Sequence, residues 1–157
     1  MQAEVPKLRL KARGRDDTEV LSALLQDAII PGSDMSFNRK TNEFLIVANR
    51  FCWELGPSLE VKSSDGKPFY ERRLCGIQVG YVHSVQHHRW PKMSQDVLFN
   101  LLALRHMDMP KHQNGGAMLQ FDFSGGSSLR LSVNDVDITL ADLDVGYPTS
   151  LQPLHKL

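Results

Sequence analysis

Apolar and polar residues alternate along residues 117–143, on both sides of a glycine-rich turn. In the first arm every second residue is apolar, namely Ala117, Leu119, Phe121 and Phe123. The second arm repeats the pattern with Leu129, Leu131 and Val133. Residues 124–128, Ser-Gly-Gly-Ser-Ser, have the composition of a turn. The segment therefore predicts a β-hairpin with one buried and one solvated face.

The same alternation predicts further strands at residues 7–12, 36–37, 44–55, 74–86 and 102–107. In residues 44–55 the apolar positions change face near Asn49, which indicates either a β-bulge or burial on both faces. Residues 102–107 fit either a strand or a continued helix, and we favour the strand. After the hairpin, the alternation changes phase at residues 134–135, which indicates a second bulge or bend.

Two segments have helical spacing instead. Between Asp16 and Pro31 the apolar residues recur every three or four positions, as on one face of a helix: Val20, Leu21, Leu24, Leu25 and Ala28. A second, shorter helix is predicted from Ser94 through Leu101.

These elements predict an α+β fold. We expect a mainly antiparallel sheet of about six or seven strands, curved or nearly closed into a barrel, with two helices against it. Residues 20–25 and 97–102 share four identities, so a tandem βαββ pseudo-repeat is a further hypothesis. Residues 1–145 are predicted to form one domain, and residues 146–157 a coil tail.

Composition limits the classes of function. The chain has 157 residues, 41% hydrophobic and 23% charged, which is typical of a single soluble domain. No apolar run reaches the roughly 20 residues that span a bilayer, and no secretory signal is recognisable, so we predict a cytoplasmic protein without a membrane partner. Zero net charge disfavours a dedicated nucleic-acid-binding protein. The basic residues at positions 7–15 are interpreted as the solvated face of the first strand.

No catalytic, metal-binding or cofactor-binding motif is recognisable, and we predict none of the three. His83 and His87 would share a strand face about 13 Å apart, too far to bind one ion. Two cysteines, Cys52 and Cys75, are too few for a disulfide scaffold and are expected to be free thiols, although a disulfide between paired strands is an alternative.

Arginine and aromatic residues provide the candidate binding site. Four arginines lie on or beside predicted strands and are interleaved with two tryptophans: Arg50, Arg72, Arg73, Arg89, Trp53 and Trp90. If sheet pairing gathers them, they form a surface for an anionic ligand or an acidic protein. The alternative is that each arginine pairs with a local acid such as Glu54 or Glu71.

Several segments resemble a family of small alphaproteobacterial proteins known only as a domain of unknown function. They are LQDA at 25–28, ANRFCWE at 48–54, RRLCG at 72–76, VLFNLLALR at 97–105, and FSGG at 123–126 followed by LRL at 129–131. The resemblance extends over most of the chain and implies a bacterial, cytosolic, stand-alone protein. It implies no activity, ligand or catalytic residue.

Three hypotheses about function follow. The first is a non-catalytic binding or adaptor protein whose ligand is a protein or an anionic molecule. The alternative is an enzyme or small-molecule-binding protein whose pocket is assembled from distant residues such as Arg50, Cys52 and His83. The third is a homodimer joined through exposed strand edges.

Overall fold

The computed structural model describes residues 6–56, 70–109 and 116–144, together with the backbone of residues 147–149. These described residues contain one α-helix, α1 (Arg15–Leu25), and three single-turn 3-10 helices at residues 32–34, 53–55 and 94–96. The strands are β1 (Arg9–Ala12), β2 (Ile29–Pro31), β3 (Met35–Asn38), β4 (Glu43–Phe51), β5 (Tyr70–Val79), β6 (Val82–His88), β7 (Leu98–Asp108), β8 (Ala117–Phe123), β9 (Ser128–Val133), β10 (Ile138–Asp142) and β11 (Tyr147–Thr149).

These strands form one antiparallel sheet in the order β1-β10-β5-β4-β2-β7-β8-β9-β6, with β3 beside β4 and β11 beside β5. The short strand β2 joins two halves, because Ile29 pairs with Asn49 of β4 and with Asn100 of β7. We call β1, β10, β5, β4, β3 and β11 the first half and β7, β8, β9 and β6 the second half.

One hydrophobic core lies between the two halves. Leu119, Phe121 and Leu131 of the hairpin are fully buried, as are Ile77 of β5 and Leu140 of β10. The helix α1 buries Leu21 and Leu25 against the same core. The predicted hairpin is confirmed, since β8 pairs with β9 from Ala117 opposite Val133 to Asp122 opposite Ser128. Gly125 and Gly126 occupy positive φ angles in its turn, a conformation that glycine adopts without strain.

The predicted fold class is wrong in the number of strands, the second helix and the closure. The described residues form eleven strands rather than six or seven, and one α-helix rather than two. β1 and β6 end the sheet without pairing to each other, so the sheet is open rather than nearly closed. Each extra strand comes from a short segment or from a break in a longer predicted one.

The second predicted helix is a single 3-10 turn at residues 94–96, followed by strand β7. Exposure alternates from Leu98 to Leu102, with Phe99 and Leu101 buried and Leu98 and Leu102 exposed, which is the strand periodicity. The strand favoured for residues 102–107 is confirmed. Because residues 20–25 are helix and residues 98–102 are strand, the tandem βαββ hypothesis is wrong.

The strand predicted at residues 74–86 is interrupted at Gly80 and Tyr81. Tyr81 has a φ of 56°, a left-handed conformation that no regular strand contains, and its side chain is 54% exposed. β5 therefore belongs to the first half and β6 to the second. The phase change at residues 134–135 is a similar crossing, because β9 pairs with β6 and β8, whereas β10 pairs with β1 and β5.

Part of the predicted coil tail forms strand β11, since Tyr147–Thr149 pair with β5. The remainder of residues 146–157 lies outside the described residues, as do most of the polar segment 56–71 and the loop at 110–115.

Candidate functional site

The predicted arginines Arg50 and Arg73 lie in the core, directly opposite each other on β4 and β5. Their relative exposures are 0% and 1%. Both bind Asp142 of β10: Nε and Nη2 of Arg50 donate to its carboxylate at 2.8 and 3.0 Å, and Nη1 of Arg73 donates at 3.0 Å. The three residues form a buried ionic cluster that connects three strands.

Two further acids pair with the arginines of this cluster. Glu54 forms an ion pair with Arg50 at 2.8 Å, and Glu71 forms one with Arg73 at 2.9 Å. Burial alone would raise the pKa of Asp142, but hydrogen bonds from Arg50, the Leu8 amide and Arg73 hold that pKa below its usual value. Each of these two arginines therefore pairs with a local acid, the alternative given above, as well as with the distant Asp142. Their guanidinium groups are buried and not exposed to a ligand.

Trp53 and Arg72 lie at the same end of the first half and are only partly buried. The Trp53 indole Nε1 donates to the carbonyl of Gln26 at 2.8 Å, and its ring packs against Phe51 with centroids 4.5 Å apart. The Arg72 guanidinium lies 5.5 Å from the centroid of the same Phe51 ring.

Arg89 and Trp90 belong to the second half, beyond the end of β6. Trp90 stacks on Phe99 at 4.6 Å between ring centroids and contacts His87 at 4.5 Å. The carbonyl of Arg89 accepts a hydrogen bond from Ser127 Oγ at 2.7 Å. The six predicted binding residues thus divide into a group of four in the first half and a pair in the second, rather than forming one surface.

The residues suggested for an assembled enzyme pocket do not share a described cavity. Cys52 and Cys75 are fully buried, and burial raises the pKa of each thiol to about 12. Both are free, because the register places Cys75 opposite Ala48 rather than Cys52. His83 lines an open cavity of about 520 Å³ that includes neither Arg50 nor Cys52.

That cavity contains charged groups of both signs. Arg9 and Lys11 line it together with Glu43 and Asp137, and Lys11 Nζ lies 3.6 Å from Asp137 Oδ1. Among the described residues, no group of three or more histidine, cysteine or acidic side chains is arranged to hold a metal ion.

A different cavity, on the solvated face of the second half, is lined by an arginine, Arg130, that forms no ion pair with a described carboxylate. It measures about 660 Å³ and is lined by Gln86, His87, His88, Gln120, Ser128 and Arg130. We call it the Arg130 cavity. Strand pairing brings these residues together. Gln86, Arg130 and Gln120 form one cross-strand row, and His88 and Ser128 belong to the next row on the same face.

The guanidinium of Arg130 is held in place by a neutral partner. Nε and Nη2 donate to the same amide oxygen, Oε1 of Gln120, at 3.1 and 2.7 Å. The amide nitrogen of Gln120, only 7% exposed as a residue, donates in turn to Asp122 at 2.7 Å. Asp122 is itself paired with Arg105 at 2.6 Å. These linked hydrogen bonds therefore orient the Arg130 guanidinium, although no described carboxylate forms an ion pair with it.

The groups around Arg130 suit an anion. No described carboxylate lines the cavity, and the Ser128 hydroxyl, the Gln86 amide and the two imidazoles supply further hydrogen-bonding groups. Partial burial lowers the pKa of His87, which keeps that imidazole neutral at pH 7. The prediction from sequence omitted Arg130, although the turn at 124–127 sets the hairpin register that places Gln120 opposite it.

In the described part of the chain, no helix has the length and apolar character needed to cross a membrane. No curated protein and no solved structure matches the chain.

A family model described as "Protein of unknown function (DUF2948)" matches residues 8–155 of the 157. This match confirms the family-level resemblance, whereas the alphaproteobacterial origin stays a prediction. Because the family model extends over nearly the whole sequence, the chain belongs to the DUF2948 family of proteins of unknown function.

Proposed function

We propose that this protein is a non-catalytic binding protein that holds an anionic ligand, through a phosphate or carboxylate group, in the Arg130 cavity. The observation that supports this proposal is the state of the Arg130 side chain. It is fixed by Gln120 and faces a cavity that no carboxylate of the described residues lines.

A fixed arginine without a counter-ion favours anion binding for two reasons. The planar guanidinium offers paired N–H donors that match phosphate and carboxylate oxygens. Since Gln120 already restrains the side chain, less rotamer entropy is lost when the ligand binds. No described group accepts a hydrogen bond from Nη1 of Arg130, so this nitrogen remains available to a ligand.

The first test is a titration with inorganic phosphate and, separately, with acetate, in which the NMR chemical shifts of the backbone and of the arginine side chains are measured. We expect saturable shifts at Arg130, Ser128 and His88 that are lost in Arg130→Gln. Gln120→Glu should also abolish them, because it places a carboxylate beside the guanidinium, where it competes with the anion. Binding should weaken as salt is raised, as expected for an interaction dominated by one partly buried charge at the surface.

Arg9→Gln is the matched control, since it removes one exposed arginine from the first half of the sheet. This variant should bind both anions like the wild-type protein. Equal titration curves for wild type, Arg130→Gln and Gln120→Glu would contradict the proposal.

We infer further that the protein acts in the cytoplasm. Both of its cysteines are unpaired. Free thiols are usual in a reducing compartment, and this supports the location predicted from the sequence.

A further inference from the structure

The free edge of β6 is a second candidate site, distinct from the Arg130 cavity. We propose that an extended acidic peptide, with an apolar side chain at every second position, binds in the cleft between β3 and β6 by adding a strand to the β6 edge. The cleft, of about 410 Å³, is lined by Phe37, Arg39, Asn42, His83, Ser84 and Val85. We call it the β3–β6 cleft.

The two ends of the sheet differ in how they are protected. At one end, β1 has only four residues and carries Arg9 and Lys11, and both features discourage strand addition. At the other end, β6 has seven residues and no proline, lysine or acid. Its one irregularity lies between Val82 and Ser84, so the pairing with β9 is regular from Ser84 to His88. Among the described strands, β6 is therefore the unprotected edge.

The cleft holds this edge open beside a second free edge. In the described residues β3 pairs only with β4, and β6 pairs only with β9. The Val82 amide donates to the carbonyl of Asn42 at 2.8 Å, which fixes the turn after β3 to the start of β6. Beyond this contact the two strands are not hydrogen-bonded to each other, and their outward backbone groups are available to an added strand.

Side chains in the cleft specify the chemistry of the peptide. Phe37 and Val85 are partly buried and pack on the core, so they offer an apolar contact between the strands. Arg39 and the adjacent Lys40 are exposed on the β3–β4 turn and form no ion pair with a described carboxylate. No acid lines the cleft. Because side chains alternate along a strand, a peptide of alternating acidic and apolar residues fits both features.

The test uses two fluorescein-labelled peptides of about six residues, the usual length of a strand. One alternates glutamate and valine, and the other has the same composition arranged in two blocks. Fluorescence anisotropy at low salt should show binding of the alternating peptide, with affinity about tenfold or more lower for the block peptide and for the double variant Arg39→Glu/Lys40→Glu. The double variant Arg9→Glu/Lys11→Glu, which makes the same charge change on β1, should bind like the wild-type protein.

Amide hydrogen exchange then locates the site, since an added strand should slow exchange along Ser84–His88. Inorganic phosphate that saturates the Arg130 cavity should change peptide binding no more than sodium chloride does at the same ionic strength, which separates this proposal from the anion site. Equal affinity for both peptides would overturn the strand-addition proposal. Slowed amide exchange confined to the Arg130 cavity would also overturn it. A dimer in light scattering whose β6 amides are already protected would assign the edge to a second copy of the chain and also overturn it.

Discussion

Arg50 is the residue that most changes the interpretation of the sequence. It occupies the position on β4 where the alternation Phe44, Ile46, Ala48 would place another apolar side chain, and the register with β5 continues through it without a bulge. Phe51 on the opposite face is also buried, so burial on both faces explains the change of apolar phase. A buried guanidinium requires a charged partner, and Asp142 supplies it from a distant strand.

We predict that Asp142→Asn lowers the free energy of unfolding by about 3 kcal/mol, because the substitution leaves two buried arginines without their shared carboxylate. Urea denaturation measures the loss. The matched control is Asp108→Asn, which removes a carboxylate that is 76% exposed and paired with Arg15. The control should change stability by less than about 1 kcal/mol. Asp142→Asn with wild-type stability would show that Asp142 is not the stabilising partner.

Residue types alone predicted part of this chemistry. The proximity of Glu54 and Glu71 along the chain made local ion pairs a correct alternative for Arg50 and Arg73. Their burial and the role of Asp142 depend on the pairing of β5 with β10, which no local pattern encodes. The same limitation applies to Arg130, because its contact with Gln120 and the lack of a described ion pair depend on which residues lie opposite it in the sheet.

At the scale of elements, the segment after Ser94 shows why helix and strand were confused. Residues 97–102 include three leucines, which are good helix formers, and a short apolar run of this kind fits either periodicity. The structure resolves this ambiguity through a tertiary contact. Gly32, after β2, donates its amide to the Val97 carbonyl at 2.8 Å, and β2 then pairs with the start of β7.

This contact predicts that Gly32→Ala is destabilising. An added Cβ would lie 1.8 Å from the backbone oxygen of Ser94, so either the 3-10 turn or the end of β2 must move. We expect a loss of about 1–3 kcal/mol, typical of overpacking a close approach, measured by urea or thermal unfolding.

Gly76→Ala in β5 provides the comparison, because its Cβ would meet only the Leu143 side chain at 3.8 Å. This substitution should be neutral or slightly stabilising, since alanine restricts the unfolded chain more than glycine does. If both alanine variants had the same stability, the close approach of Gly32 to Ser94 would be incorrect.

At the scale of the molecule, both halves of the sheet contribute to one core. Its buried residues come from β4, β5 and β10 in the first half and from β7, β8 and β9 in the second. Antiparallel pairing and helix α1 could be predicted from the sequence, whereas the second predicted helix was wrong. The open ends and the crossings at Gly80 and Asn134 could not, because each depends on which distant strand is paired next.

A shared core predicts that the two halves unfold together. The chain has two tryptophans, Trp53 in the first half and Trp90 in the second. In the variants Trp90→Phe and Trp53→Phe the remaining tryptophan reports on one half, and its fluorescence should give the same urea midpoint as far-UV circular dichroism of that variant. Comparison within each variant removes the effect of the substitution itself. Separate fluorescence and dichroism midpoints would indicate two independent units.

The place of β10 between β1 and β5 has a consequence for synthesis on the ribosome. Strands β6 to β9 are contiguous in the chain and can pair with one another as soon as they emerge. Of the described strands β1 emerges first, whereas β10, which joins it to β5, follows β9 and precedes only β11. In the nascent chain, the edges of β1 and β5 that pair with β10 therefore stay unpaired until residues 138–142 are translated, and they can associate with other chains during that time. The first strand to be synthesised is among the last to be incorporated into the sheet.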